Sequence, residues 1–199
     1  MKKMKKLVLS ISIACASQST YALTPWADGA PDIVVYTSGG AAQDNAISQV
    51  VSTTLAASGT LDTFGDIKST TDTAASGSRW QAFYFRGNSN LGAGLAGKKI
   101  ILEKRSSGAA GYGVIPLYAN NGAGIAHLNI DGSASSDWTT DGSATKWKTA
   151  ITSTNATKFL TKTVSDGGFL GVDPDVLLKP ATENYPEQVK ELTTNAFEA

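Results

Sequence analysis

The chain has 199 residues, 17 basic and 17 acidic side chains, 41% apolar residues, one cysteine and one histidine. This balance excludes a basic nucleic-acid-binding stripe and a disordered polyelectrolyte, and the length allows one domain. A single cysteine and a single histidine exclude an internal disulfide framework and the usual zinc ligand sets.

Residues 1–22 read as a secretory signal. Met1-Lys2-Lys3-Met4-Lys5-Lys6 is its basic region, Leu7 to Ala16 its short apolar region, and Thr20-Tyr21-Ala22 a small-residue cleavage site. The apolar stretch is shorter than the roughly 20 residues that span a bilayer. Cleavage after Ala22 removes four lysines and Cys15, leaving a net charge of −4. The expected location is the periplasm or the exterior. Lipidation at Cys15 is the competing reading, but Ser12-Ile13-Ala14 lacks the usual leucine three residues before the cysteine.

Residues 23–31 form a short leader, and 32–199 the folded unit. The β-branched run Asp32 to Tyr36 predicts a strand. The small-residue loop Thr37-Ser38-Gly39-Gly40-Ala41-Ala42 follows it. Ala46, Ile47, Val50, Val51 and Leu55 recur at helical spacing, predicting a helix over Asp44 to Ala57 that stops at Ser58-Gly59. Residues 60–79 read as polar and turn-rich. Gln81 to Arg86 predicts a strand, Leu91 to Ala96 a short helix, and Lys99 to Glu103 a buried strand.

A second loop, Arg105-Ser106-Ser107-Gly108-Ala109-Ala110-Gly111, precedes a helix expected through Val114, Leu117 and Tyr118. Ile125 to Ile130 predicts a strand. Residues 131–148 read as an insertion with a rough repeat, Asp131-Gly132-Ser133-Ala134 with Trp138 and Asp141-Gly142-Ser143-Ala144 with Trp147. A hairpin or surface loop with each Trp capping the core is preferred to a calcium loop, whose ligand spacing is absent. Lys148 to Lys162 predicts a helix, Ser165 to Val172 a glycine-rich corner, and Tyr185 to Ala199 a polar segment of helical character. Strands alternating with helices predict an α/β fold, a mostly parallel sheet flanked by helices. In such sheets ligands sit beyond the carboxyl ends of the strands, where both loops would lie.

Glycine, alanine and serine let an anion approach backbone N–H groups at a strand-to-helix corner, and hydroxyls add donors. The candidate ligand-binding residues are Ser38, Gly39, Gly40, Ala41, Arg105, Ser106, Ser107 and Gly108. Arg105 can pair bidentately with an anion, or be a surface charge beside Glu103 and Lys104. His127 lies in the apolar run Ile125-Ala126-His127-Leu128 and reads as a core histidine rather than a triad base. Ser143-Ala144-Thr145-Lys146 matches Ser-x-x-Lys by chance, without its companion motifs. No catalytic residue, metal site or cofactor is expected.

Three segments in order, 33–44, 104–114 and 166–174, resemble the strand–loop–helix corners of the type 2 periplasmic-binding-protein superfamily, in its phosphate-binding-protein-like branch. The resemblance implies one lobe of a two-lobed protein that closes on an anion, with the backbone of Gly40 and Ala41 and the side chains of Ser38 and Ser107 on the ligand. It further implies an ABC-type permease or a second lobe as partner. Leu170-Gly171 stand where the family presents a Ser-Asp pair. A two-lobed member needs roughly 250 residues or more, so a single, truncated lobe is expected. The reading is a non-enzymatic exported protein that binds a small anionic solute, an oxyanion such as phosphate. The alternative is an extracellular structural or adhesive protein that uses the fold without ligand.

Overall fold

The computed structural model describes residues 23–67, 79–106, 113, 124–131 and 133–169. The expected signal, the helix after the second loop, and residues 170–199 lie outside the described residues.

A short helix, α1 (Pro25–Asp28), opens the described chain. Strand β1 (Ile33–Gly39) runs three residues past the expected end, into the loop itself. Gly40 and the turn Ala41–Gln43 lead into α2 (Asp44–Val50), which loosens into a π-helical stretch over Val51–Leu55. Ile47 and Val51 are its buried anchors, whereas Val50 is half-exposed. Then come β2 (Asp62–Ile67), β3 (Trp80–Arg86), β4 (Lys99–Ser106) and β5 (Ile125–Leu128). The C-terminal part holds β6 (Thr139–Thr140), β7 (Lys146–Ala150), α3 (Ala156–Phe159), β8 (Leu160–Thr163) and β9 (Gly167–Phe169).

Seven strands form one sheet in the order β6-β7-β2-β3-β4-β1-β9, and β5 pairs with β8 in a second, two-stranded sheet. The fold is mixed α/β, but the large sheet is mixed rather than mostly parallel. The pairings β7–β2, β4–β1 and β1–β9 are parallel; β6–β7, β2–β3 and β3–β4 are antiparallel. Parallel neighbours need a long crossover, whereas short connections such as 87–98 between β3 and β4 return the chain antiparallel.

Register fixes two faces. Rows Tyr84–Ile101–Val34, Ala82–Glu103–Tyr36 and Trp80–Arg105–Ser38 run across β3, β4 and β1 on one face. Rows Phe85–Ile100–Ile33, Phe83–Leu102–Val35 and Gln81–Lys104–Thr37 occupy the other. The first, here the leader face, packs Tyr84, Ala82 and Ile101 against Leu23, Leu128, Ile130, Trp138 and Phe159. The second, the helix face, packs Phe83, Phe85 and Ile100 against Ile47 and Val51.

Three expectations need correction. Residues 60–79 contain β2, whose Asp, Gly and Thr content masks its strand character; pairing on both sides overrides that weak propensity. Lys148 to Lys162 is not one helix. Thr149, Ile151, Thr152 and Thr154 disfavour helix, Asn155 Oδ1 accepts the Thr152 N–H at 2.7 Å, and Leu160 pairs with Leu128. Leu91 to Ala96 holds only a helical turn, Ser89–Leu91, whose end Gly92 adopts φ +77°.

Residues 131–148 are built into the sheet through β6 and β7. Trp138 is buried, its indole N–H donates to Ser133 Oγ at 2.7 Å, and its ring meets Phe64 and Phe159 edge-on. Trp147 packs on Trp26 and Phe64. Among the described residues no helix is long and apolar enough to cross a membrane.

Candidate functional site

The parallel trio β4–β1–β9 brings the carboxyl ends of three strands side by side. Gly39 stands opposite Ser106 on one side and Phe169 on the other. Gly39 has φ +153°, and a Cβ there would lie 2.4 Å from the Phe169 carbonyl, so only glycine lets β9 approach. Gly168 similarly admits the Gly113 carbonyl, with no room for any side chain. The described parts of the three segments, 33–44, 104–106 and 166–169, therefore meet at one edge. Asp166 locks the register, accepting the Tyr36 N–H at 2.9 Å and donating its own N–H to the Tyr36 carbonyl at 2.7 Å.

Beneath the first loop, on the helix face, lies a buried ammonium. Lys104 Nζ donates to Asp44 Oδ1 at 3.1 Å, Ser106 Oγ at 2.9 Å, and the Gly39 and Gly40 carbonyls at 3.2 and 3.4 Å. Ser106 Oγ donates to Asp44 Oδ1 at 2.7 Å, and Gln81 Nε2 approaches Asp44 Oδ2 at 3.5 Å. Burial pushes the Lys104 ammonium below its usual range, opposed by Asp44. Both loop carbonyls point to this ammonium. In a trans peptide each C=O opposes the next N–H, so the Gly40 and Ala41 N–H groups point away from Lys104. Gly40 is half-buried and Ala41 exposed. A cavity of about 120 Å³ opens beside this network, lined by Asp44, Asn45, Gln81, Phe83, Asp141 and Lys146 among others.

On the leader face, Ser38 is fully buried and its Oγ has no hydrogen-bond partner among the described residues. Arg105, its register partner, holds its guanidinium 4.1 Å from the centre of the Trp80 ring. Arg79 lies 4.4 Å from the same ring and pairs with Asp66 at 3.1 Å. Arg105 also donates to the Arg79 carbonyl at 3.4 Å, so two guanidiniums gather on Trp80 where β3 begins and β4 ends, with Asp66 as the acidic partner of Arg79.

Deeper on this face are Glu103, His127, Tyr36 and Ser165. The Glu103 carboxyl is pushed well above its usual range by burial, then by Asp131, with the Leu128 N–H opposing. His127 is fully buried; its Nε2 is 3.1 Å from Ser165 Oγ and its ring lies 5.1 Å from that of Tyr36. Burial and the Arg105 charge push the imidazole down to about 4. Glu103 Oε2 and His127 Nδ1 have no partner among the described residues. Ser165 and His127 are both buried in the leader-face core.

Of the sequence candidates, Ser38, Gly39, Gly40, Ala41, Arg105 and Ser106 come together at this edge. Ser106 points to the helix face and braces Asp44. Ser107 and Gly108 lie outside the described residues. Sequence reasoning missed Lys104, Asp44 and Trp80 as parts of the site. The signal for Lys104 was the alternation Leu102–Lys104–Ser106, legible once β4 is carried past Glu103. Among the described residues no group of His, Cys, Asp or Glu could hold a metal ion. Compared with protein-family models, curated proteins and solved structures, the chain matches none.

Proposed function

We propose that the chain is an exported, non-enzymatic protein that binds a small oxyanion such as phosphate or sulfate at the carboxyl ends of β4, β1 and β9. The observation that carries the reading is the orientation of the first loop. Its Gly39 and Gly40 carbonyls turn inward to Lys104, which directs the Gly40 and Ala41 N–H groups outward. Successive outward N–H groups form an anion-binding concavity. Ser38 Oγ, buried without a partner among the described residues, and the Arg105 guanidinium supply side-chain donors at the same edge. Ser107 and Gly108 would add the second loop. Delivery to an ABC-type permease, or closure against a second lobe, completes the reading, which follows the likeness to phosphate-binding-type proteins.

The test is titration calorimetry of the exported chain with phosphate and with sulfate. Ser38→Ala should weaken binding by about 1–3 kcal/mol, roughly 5- to 150-fold in Kd, with Ser107→Ala behaving alike. Unchanged affinity in both variants, or no binding of either anion, overturns it. The second reading, a structural or adhesive protein without ligand, is favoured by the internal commitment of Ser106 and by Leu170-Gly171 in the third corner.

A further inference from the structure

The leader is fastened along the sheet. Leu23 is buried in the leader-face core, and its N–H donates to the Thr60 carbonyl at 3.3 Å. The Thr24 N–H donates to Asp28 Oδ2 at 2.9 Å, and the Tyr84 hydroxyl donates to the Gly29 carbonyl at 2.6 Å. Trp26 meets Phe64 and Trp147 edge-on, at 5.9 and 5.2 Å.

Asp62 lies under this strap. It follows Thr60 by two residues, and its register with Tyr84 places its side chain on the leader face. It is 1% exposed, and its Oδ1 has no hydrogen-bond partner among the described residues. Burial pushes its carboxyl up to about 7, opposed by hydrogen bonding from the Trp147 indole and helped by the charge of Asp28, another acid. A buried carboxylate oxygen without a partner is costly and calls for an explanation. The Leu23 N–H meets an acceptor, the Thr60 carbonyl, and the next N–H, that of Thr24, meets the Asp28 carboxylate. The Lys99 ammonium donates to the Asp28 carbonyl at 2.9 Å, but no cation is among the charges that act on Asp62.

Signal cleavage after Ala22 would create one at that place. Hydrolysis breaks the Ala22–Leu23 amide; water's oxygen joins the Ala22 carbonyl carbon, and the Leu23 nitrogen takes up protons to become an α-ammonium. One of its three N–H donors keeps the bond to Thr60, and two more become available. We propose that Asp62, with the Thr60 carbonyl, is a docking site for the α-ammonium of Leu23, so that processing of the chain completes its fold. The proposal rests on the export reading and is independent of the anion site.

The experiment exports the full chain with its own signal in a bacterial host and identifies the N-terminus by mass spectrometry. The folded product is then labelled with 2-pyridinecarboxaldehyde, which reacts with α-amines. Wild type should label at least tenfold more slowly than Asp62→Asn. A measurement that needs no variant compares thermal midpoints of processed and unprocessed wild type, and the processed chain should melt several degrees higher. An N-terminus other than Leu23, equal labelling of two folded proteins, or equal midpoints overturns the proposal. Phosphate titration of the same samples reports separately on the anion site.

Discussion

Glu103 and Lys104 are neighbours in β4 and meet opposite fates on its two faces. Lys104 enters a network in which Asp44, Ser106 and two loop carbonyls absorb its donors. Glu103 enters a region where its own Oε2, His127 Nδ1 and Ser38 Oγ lack partners among the described residues. Polar satisfaction on the helix face makes that side a brace, because a buried ion pair removed from water holds only with good geometry. On the leader face, polar groups without partners among the described residues leave the cost of burial uncompensated.

Breaking the brace should have the largest effect. Lys104→Met leaves Asp44 buried and uncompensated, and urea denaturation should show a loss of about 3–5 kcal/mol. Lys104→Met combined with Asp44→Leu should recover much of it, since replacing both partners removes the unpaired charge. A double variant as unstable as the single one would show that the loop geometry, rather than the charge pair, is what counts.

The leader face should instead respond to pH, and in two directions. The folded His127 imidazole is held at about 4, below its ordinary 6.5, so the unfolded chain takes up the proton first. Its contribution is complete above pH 6.5 and is lost as pH falls through about 4. His127→Gln should flatten the acid side of a plot of melting temperature against pH. Glu103 has the opposite sign. Its carboxyl titrates above its ordinary value when folded, so its contribution is complete below about 4.5 and is lost as pH rises through the folded value.

Glu103→Gln should have the smallest effect near pH 4.5. An amide replacing a neutral carboxyl should change stability there by no more than about 1 kcal/mol and flatten the loss on the alkaline side. A larger loss near pH 4.5 would mean that Glu103 is ionised and paired, and would erase the contrast with Lys104.

Much of the framework is legible in the residues. Ile33 to Tyr36, Gln81 to Arg86 and Ile125 to Leu128 pair β-branched, aromatic or apolar runs with the expected strands, because local preference and burial agree there. β2 was hidden because Asp62, Gly65 and Asp66 are poor strand formers. It holds its place through β3 and β7, distant in sequence, and through the Trp80 N–H that donates to Asp66 at 2.9 Å. The broken helix at 148–162 has the same cause, for its period suits a helix while its pairing partners lie at Leu128 and at Gly65 to Ile67.

The residues by themselves determined the first small-residue loop and the core histidine, since these depend on backbone freedom and on apolar runs a few residues long. Tertiary structure alone decided that the ends of β4, β1 and β9 lie side by side, that Lys104 is buried while Arg105 lies on Trp80, and that Asp62 is buried opposite Tyr84. Strand alternation sends successive charges to opposite faces. Which face holds a counter-charge depends on elements distant in sequence, such as Asp44 for Lys104, 60 residues away.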